Sequence, residues 1–254
     1  MLKVDFRRMF TMPLLYIMVG ICLVIPILIL VMTTMMEGSV SVNPQTGEET
    51  VMEGFDNTWQ LIGSVSSESS EDAAMSVDML SMCNINMLYL FVAVLVGLFI
   101  TEDFKSGYSK NIFAIRPKKA SYVVSKTLVG FVGGVLMLLA FFVGTMLGGA
   151  ISGLSFDLGA AGVGGIIMCM LSKIFVVAVF VPIYVLMSVI AKQRTWLSIV
   201  GSFCIGMLLF MMIPMLTPLN SGIMNVVLCL AGGAVFSVGL GAISNQVLKK
   251  TSLV

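Results

Sequence analysis

Hydrophobic residues run along this chain in long unbroken blocks, not in alternation with polar ones. A bilayer core about 30 Å thick takes roughly 20 apolar helical residues to cross. That length fits six times, over residues 13–33, 85–101, 128–151, 164–191, 196–215 and 223–243. Only the fourth block holds a charge, Lys173. Backbone in lipid has no water to bond, and the blocks lack the two-residue period of a barrel strand, so each reads as a helix. The pattern predicts an all-α, polytopic membrane protein with six transmembrane helices. The first block is too long for a signal-peptide core and lacks a convincing cleavage site behind it, so it reads as an anchor.

Between the blocks, charge is sorted by side. Of the 14 Lys and Arg, 13 lie in the N-terminal segment, between blocks two and three, between blocks four and five, and at the C-terminus. Residues 34–84 hold nine acids and no base. The positive-inside rule then places both termini in the cytoplasm and residues 34–84 outside, as an acidic loop. That loop is too polar to form its own core; a short helix around residues 55–62 would let Phe55, Trp59 and Ile62 dip into the outer interface. Residues 1–12 set Leu2, Phe6, Met9 and Phe10 on one helical face and Lys3 and Arg7 on another, which predicts a short amphipathic helix in the headgroup layer against membrane lipids.

Composition narrows the chemistry. With 58% of the residues apolar and 11% charged, the chain cannot cover itself with polar surface, and a net charge of +1 gives no case for binding nucleic acid. The chain has no histidine, which removes Ser-His-Asp and Cys-His catalysis and His-based zinc chemistry. An intramembrane protease is excluded on the same ground, and by the lack of an acid pair inside the blocks. Cys22, Cys83, Cys169, Cys204 and Cys229 are widely spaced and read as small buried hydrophobes. No phosphate loop is present: Ser125, Lys126 and Thr127 match only its tail. The chain is therefore expected not to be an enzyme and to hold no cofactor or metal of its own.

The most informative stretch is residues 101–126, where six cations and two acids crowd one cytoplasmic turn. Gly107 can end the second transmembrane helix. Tyr108, Ile112 and Ile115 fall on one face of a short helix, with Phe113 beside them, and Pro117 stops it. Such a helix, exposed on the cytoplasmic side, calls for a protein partner. Glu102 and Asp103 could set its angle by pairing with Lys105, Lys110 and Arg116.

In order, an acid (Glu102), a glycine (Gly107), an apolar patch (Ile112, Phe113, Ile115), a proline with a base behind it (Pro117, Lys118) and a lysine entering the third span (Lys126) resemble the permease subunits of type-2 ATP-binding-cassette (ABC) exporters. The sequence departs from that pattern at Tyr108, where a small residue is common, and at Lys118 and Lys119, where arginine is usual. The resemblance implies a single type-2 ABC transmembrane domain over residues 1–254, with the interfacial helix at 1–12, the extracellular loop at 34–84 and a coupling segment at 102–120. It also implies a plasma-membrane location. Two copies of an ABC ATPase subunit, carrying ATP and Mg²⁺, would act on the coupling segment. A second permease copy or a related permease would complete a path lined by the first, second and fifth spans. Within the family the nearest likeness is to permeases that export, or confer immunity to, lantibiotics and other peptide antibiotics.

Lys173, Asn86 and Ser202 are the candidate pathway residues, because an ionisable group inside an apolar block usually faces a cavity. For Lys173 the alternative is that residues 162–171 form an outer re-entrant piece and the side chain snorkels outward. Gly144 with Gly148, and Gly233 with Ser237 and Gly241, have the four-residue spacing of close-packed helices. Pro26, Pro182 and Pro214 are expected kinks, and the 22 methionines read as adaptable apolar filling. A competing reading of the whole is a membrane scaffold or sensor whose acidic loop binds a ligand and whose short helix recruits a partner that is not an ATPase.

Overall fold

A computed structural model describes residues 1–38, 40–42, 49–51, 54–55, 57–63, 84–115, 119–158, 162–210 and 213–250. Arg116, Pro117, Lys118, Cys83 and most of the acidic loop lie outside these residues. The fold is helical apart from a two-stranded antiparallel ribbon, β1 (Val40–Val42) with β2 (Glu49–Val51), which the sequence reading did not anticipate.

The chain opens with α1 (Leu2–Thr11) and turns sharply into α2 (Pro13–Met36). Met12 between them is extended, as the residue before a proline must be, and Pro13 sits at the first position of α2, where a missing N–H costs nothing. A 3-10 turn, Ile85–Met87, leads into α3 (Leu88–Lys105). Gly107, with φ +73°, then breaks the chain before α4 (Tyr108–Ile115), a backbone conformation that glycine enters without strain. The remaining helices are α5 (Ala120–Ser152), α6 (Gly162–Ala191), α7 (Thr195–Phe210), α8 (Ile213–Leu216) and α9 (Ile223–Lys250).

Five of these segments are long and apolar enough to cross a membrane: α2, α3 with its 3-10 turn, α5, α6 and α9. The expected fifth block instead forms α7, 16 residues long, and the four-residue α8 beyond it. The third span is longer than the apolar block suggested, beginning at Ala120 and running 33 residues, because its polar first turns are buried against α1 and α3.

α5 and α6 form the centre, with α2 packed along α5 and α9 along α6, and α3 set against α5, α6 and α7. α5 makes room for its neighbours with glycines. A Cβ on Gly134 would meet Val177 of α6 and Val92 of α3, and one on Gly144 would run into the Leu23 carbonyl and Pro26 of α2. Pro26 of α2 thus lies in a notch cut by Gly144, with Gly148 one turn further along against Ile27. On α9, Gly233 meets Ala178 of α6 and Ser237 donates to the Ala178 carbonyl at 3.2 Å, but Gly241 faces open space.

The region expected to dip into the outer interface is a 3-10 turn, Thr58–Leu61, packed into the protein. Trp59 lies against Phe142 and Phe156, Ile62 is fully buried, and Thr58 occupies the space beside Gly149. Cys22, Cys169 and Cys229 are buried as expected, whereas Cys204 is exposed on α7.

Candidate functional site

Four helices meet around a set of buried charges. Asp5 and Arg8 stand one turn apart on α1, Asp103 lies near the end of α3, and Tyr122, Ser125 and Lys126 share one turn at the start of α5. Lys126 Nζ is 2.8 Å from Asp5 Oδ1 and 2.6 Å from Asp103 Oδ2, and all three side chains are fully buried. Arg8 Nη1 donates to Asp103 Oδ1 at 2.7 Å. Ser125 donates to Asp5 Oδ2 at 2.5 Å, and Tyr122 donates to Asp103 Oδ2 at 3.1 Å. Two carboxylates therefore face two cations, and every carboxylate oxygen has a donor, which is what lets Asp5, Asp103 and Lys126 leave water while Arg8 stays partly exposed.

Aromatic rings close the set. Lys126 Nζ lies 4.1 Å from the centre of the Phe99 ring, and the Arg8 guanidinium 3.9 Å from that of Tyr108. Burial works against the charge on Arg8, but Asp103 outweighs it and holds the guanidinium above its ordinary pKa. Burial, followed by the charge of Asp5, raises the Tyr108 phenol, which stays protonated. Tyr108 is the first residue of α4, so the short helix is fastened at its base to α1 by Arg8.

Sequence reasoning brought α4 out with its bounds nearly intact but misassigned what holds it. Asp103 pairs with Arg8 and Lys126, and with neither Lys105 nor Lys110; Arg116 lies outside the described residues. Glu102 is exposed and makes no ion pair among the described residues. Phe113 packs against Tyr122 with ring centres 5.2 Å apart, while Ile112 is half-buried and Ile115 is 80% exposed. Tyr108, Ile112 and Ile115 border a 180 Å³ hollow with Met1 and Val4 of α1. Pro117 lies outside the described residues. The face of α1 turned to the protein carries Asp5, Arg8 and Met9, leaving Leu2 and Phe10 outward; Met9 had been expected to share their face. The signal for this was a lone acid one turn before an arginine in an otherwise basic segment.

Lys173 is fully buried in the continuous helix α6, which rules out the re-entrant, snorkelling arrangement. Its Nζ donates to Asn86 Oδ1 at 3.0 Å and to Thr217 Oγ1 at 2.9 Å. Asn86 belongs to the turn before α3 and Thr217 follows α8, so this lysine gathers three separate segments. Tyr89 donates to the Lys173 carbonyl at 3.0 Å. No carboxylate reaches Lys173 among the described residues. Ser202 is not part of this group. It lies buried on α7 in a stripe with Ser198 and Gly206, and Ser198 shares a 2.7 Å hydrogen bond with Ser188 of α6.

The fold is that of a multi-pass helical membrane protein whose ion pairs gather where α1, α3 and α5 meet. Residues 7–211 match the family model described as ABC-2 family transporter protein, and the chain belongs to that family. No curated protein and no solved structure matches it significantly. The chain is thus a permease subunit of an ABC transporter and a multi-pass protein of the plasma membrane, and its family implies pairing with an ABC ATPase subunit.

Proposed function

We propose that this permease moves an amphipathic or peptide-like cargo outward, peptide antibiotics of the lantibiotic kind being the class to try first, with α4 as the element its ATPase grips. One observation carries the coupling role. α4 presents Ile115 and part of Ile112 beside exposed Val4 of α1, and its base is tied through Tyr108 and Arg8 to the buried charges that join α1, α3 and α5. A push on α4 would be carried to the starts of α1 and α5 and the end of α3 together, because none of these can shift without parting buried charges.

In this reading both termini and α4 face the cytoplasm, and α1 lies in the headgroup layer. α7 with α8 supplies a sixth crossing. Two permeases, identical or related, pair with two ATPases that hold the ATP and Mg²⁺, and this chain hydrolyses nothing itself. The apolar character of α2, α3 and α7 suits a hydrophobic cargo better than a sugar or an ion. Lys173, in contact with Asn86 and Thr217, is a candidate polar point near the path.

The test is co-purification of the full chain with its neighbouring ATPase, followed by ATP turnover in lipid vesicles. Ile115→Asp, at a position 80% exposed, should leave the permease folded while lowering ATPase recovery at least tenfold. Equal recovery of the ATPase would remove α4 from the docking role. Recovery of a stoichiometric partner without ATPase activity would favour the scaffold or sensor reading.

A further inference from the structure

Where α9 parts from α5, an elongated groove of about 410 Å³ opens on the side of the bundle. Val124, Thr127 and Leu128 of α5 face Val238, Gly241 and Asn245 of α9 across it. Gly241 is what leaves it open: the close packing that Gly233 and Ser237 make with α6 does not continue, and nothing lies within 4 Å of where a Gly241 side chain would begin. Among the described residues no acid lines the groove.

One end of the groove is basic. Ser237, Gly241, Asn245 and Lys249 recur every fourth residue along one stripe of α9, so the lining runs on into Lys249, with Lys250 adjacent in the last turn. From α5's side, Lys119, next to the groove-lining Ala120, donates to the Leu248 carbonyl at 2.6 Å, which brings a third cation to this end of the helix pair. α5 begins at the next residue, and a helix start favours negative charge. Asn245, about 6 Å along the axis inside Lys249, has its Oδ1 buried without a hydrogen-bond partner among the described residues.

We propose that this groove is a binding site for one anionic phospholipid, with an acyl chain lying along Val124, Leu128 and Val238 and the phosphate held by Lys249, Lys250 and Lys119. Charge complementarity selects this occupant: an apolar slot between membrane helices with three lysines just beyond one end of its lining matches an acyl chain joined to a phosphate. The bound lipid would wedge α5 and α9 at a fixed separation, on the face of α5 opposite its buried charges. The proposal takes membrane placement from the family and is independent of cargo and of ATPase docking.

The experiment is native mass spectrometry of the purified full chain, titrated separately with phosphatidylglycerol and phosphatidylcholine of the same acyl chains, with ATPase recovery measured in parallel. Phosphatidylglycerol should bind at least about 30-fold more tightly. Lys249→Gln with Lys250→Gln, both exposed, should remove that preference by roughly 30-fold, from about fivefold for each lysine, and leave phosphatidylcholine binding in place. Gly241→Leu should fill the slot without a clash and abolish retention of both lipids while ATPase recovery persists. Equal binding of the two lipids, or unchanged phosphatidylglycerol retention in Gly241→Leu, would overturn the proposal. So would a second copy of the chain, rather than lipid, lost on that substitution. Loss of ATPase recovery in the wild-type chain would bear only on the docking of α4.

Discussion

Replacing Lys126 with methionine leaves Asp5 and Asp103 buried with Arg8 as their only cation, because Lys126 is the one group that touches both. Asp5 would keep a single neutral donor, Ser125, and Asp103 would keep Arg8 and Tyr122. The two carboxylates can be no farther apart than the two bonds to Nζ laid end to end. At that separation and an effective dielectric near 20, their repulsion is about 3 kcal/mol, and breaking a buried ion pair from one side costs about 3–5 kcal/mol. Lys126→Met should therefore lower the thermal midpoint by about 10 °C, at some 2–4 °C per kcal/mol for a chain of this size. The assay is thermal unfolding of the purified chain in one fixed detergent, run as a cycle with Asp5→Asn and with Asp5→Asn/Lys126→Met. The double substitution removes one charge of each sign and leaves Asp103 with Arg8, so it should recover about 2 kcal/mol of the single loss. If Lys126→Met lies within about 0.5 kcal/mol of the native chain, or the double variant is no more stable than the single, the charges do not hold α1 to α5 and the reasoning fails.

Other substitutions probe the remaining packing and the second buried lysine. Gly144→Ala should destabilise the chain by about 1–3 kcal/mol, since its Cβ would meet backbone at Leu23 and the Pro26 ring, whereas Gly20→Ala on the exposed side of α2, with nothing within 4 Å, should not; the same unfolding assay separates them. Lys173→Met exchanges a buried cation held by neutral partners for an uncharged side chain of similar length. It should cost less stability than Lys126→Met and yet lower cargo transport in vesicles. A transport rate equal to that of the native chain would leave Lys173 a purely structural tie.

Helix placement was legible because length and apolarity alone decide what crosses a bilayer, and α2, α6 and α9 begin within two residues of where the hydrophobic blocks place them. α4 was legible as well, since Gly107 and the spacing of Tyr108, Ile112 and Ile115 are local signals. The buried charges were not. Asp5 and Lys126 are 121 residues apart in sequence and meet only through the packing of α1 on α5, so Asp103 was matched with nearby lysines in place of distant Arg8. Trp59 and Ile62 were misplaced for a related reason: a polar loop gives no sign that one turn of it will plug the ends of α5. The groove beside Gly241 was hidden too, because the small-residue spacing that marks close packing at Gly233 continues unchanged to a place where packing stops.

The pairing of Asp5 with Lys126 also sets an order on biogenesis. The ribosome delivers the acid first and its lysine 121 residues later, after two apolar helices have already entered the lipid. Until then Asp5 has no lysine to meet, and burying its carboxylate has to wait for the third long helix to be made. A chain that stalls before that helix keeps an acid near its amino terminus that cannot be sealed away from water.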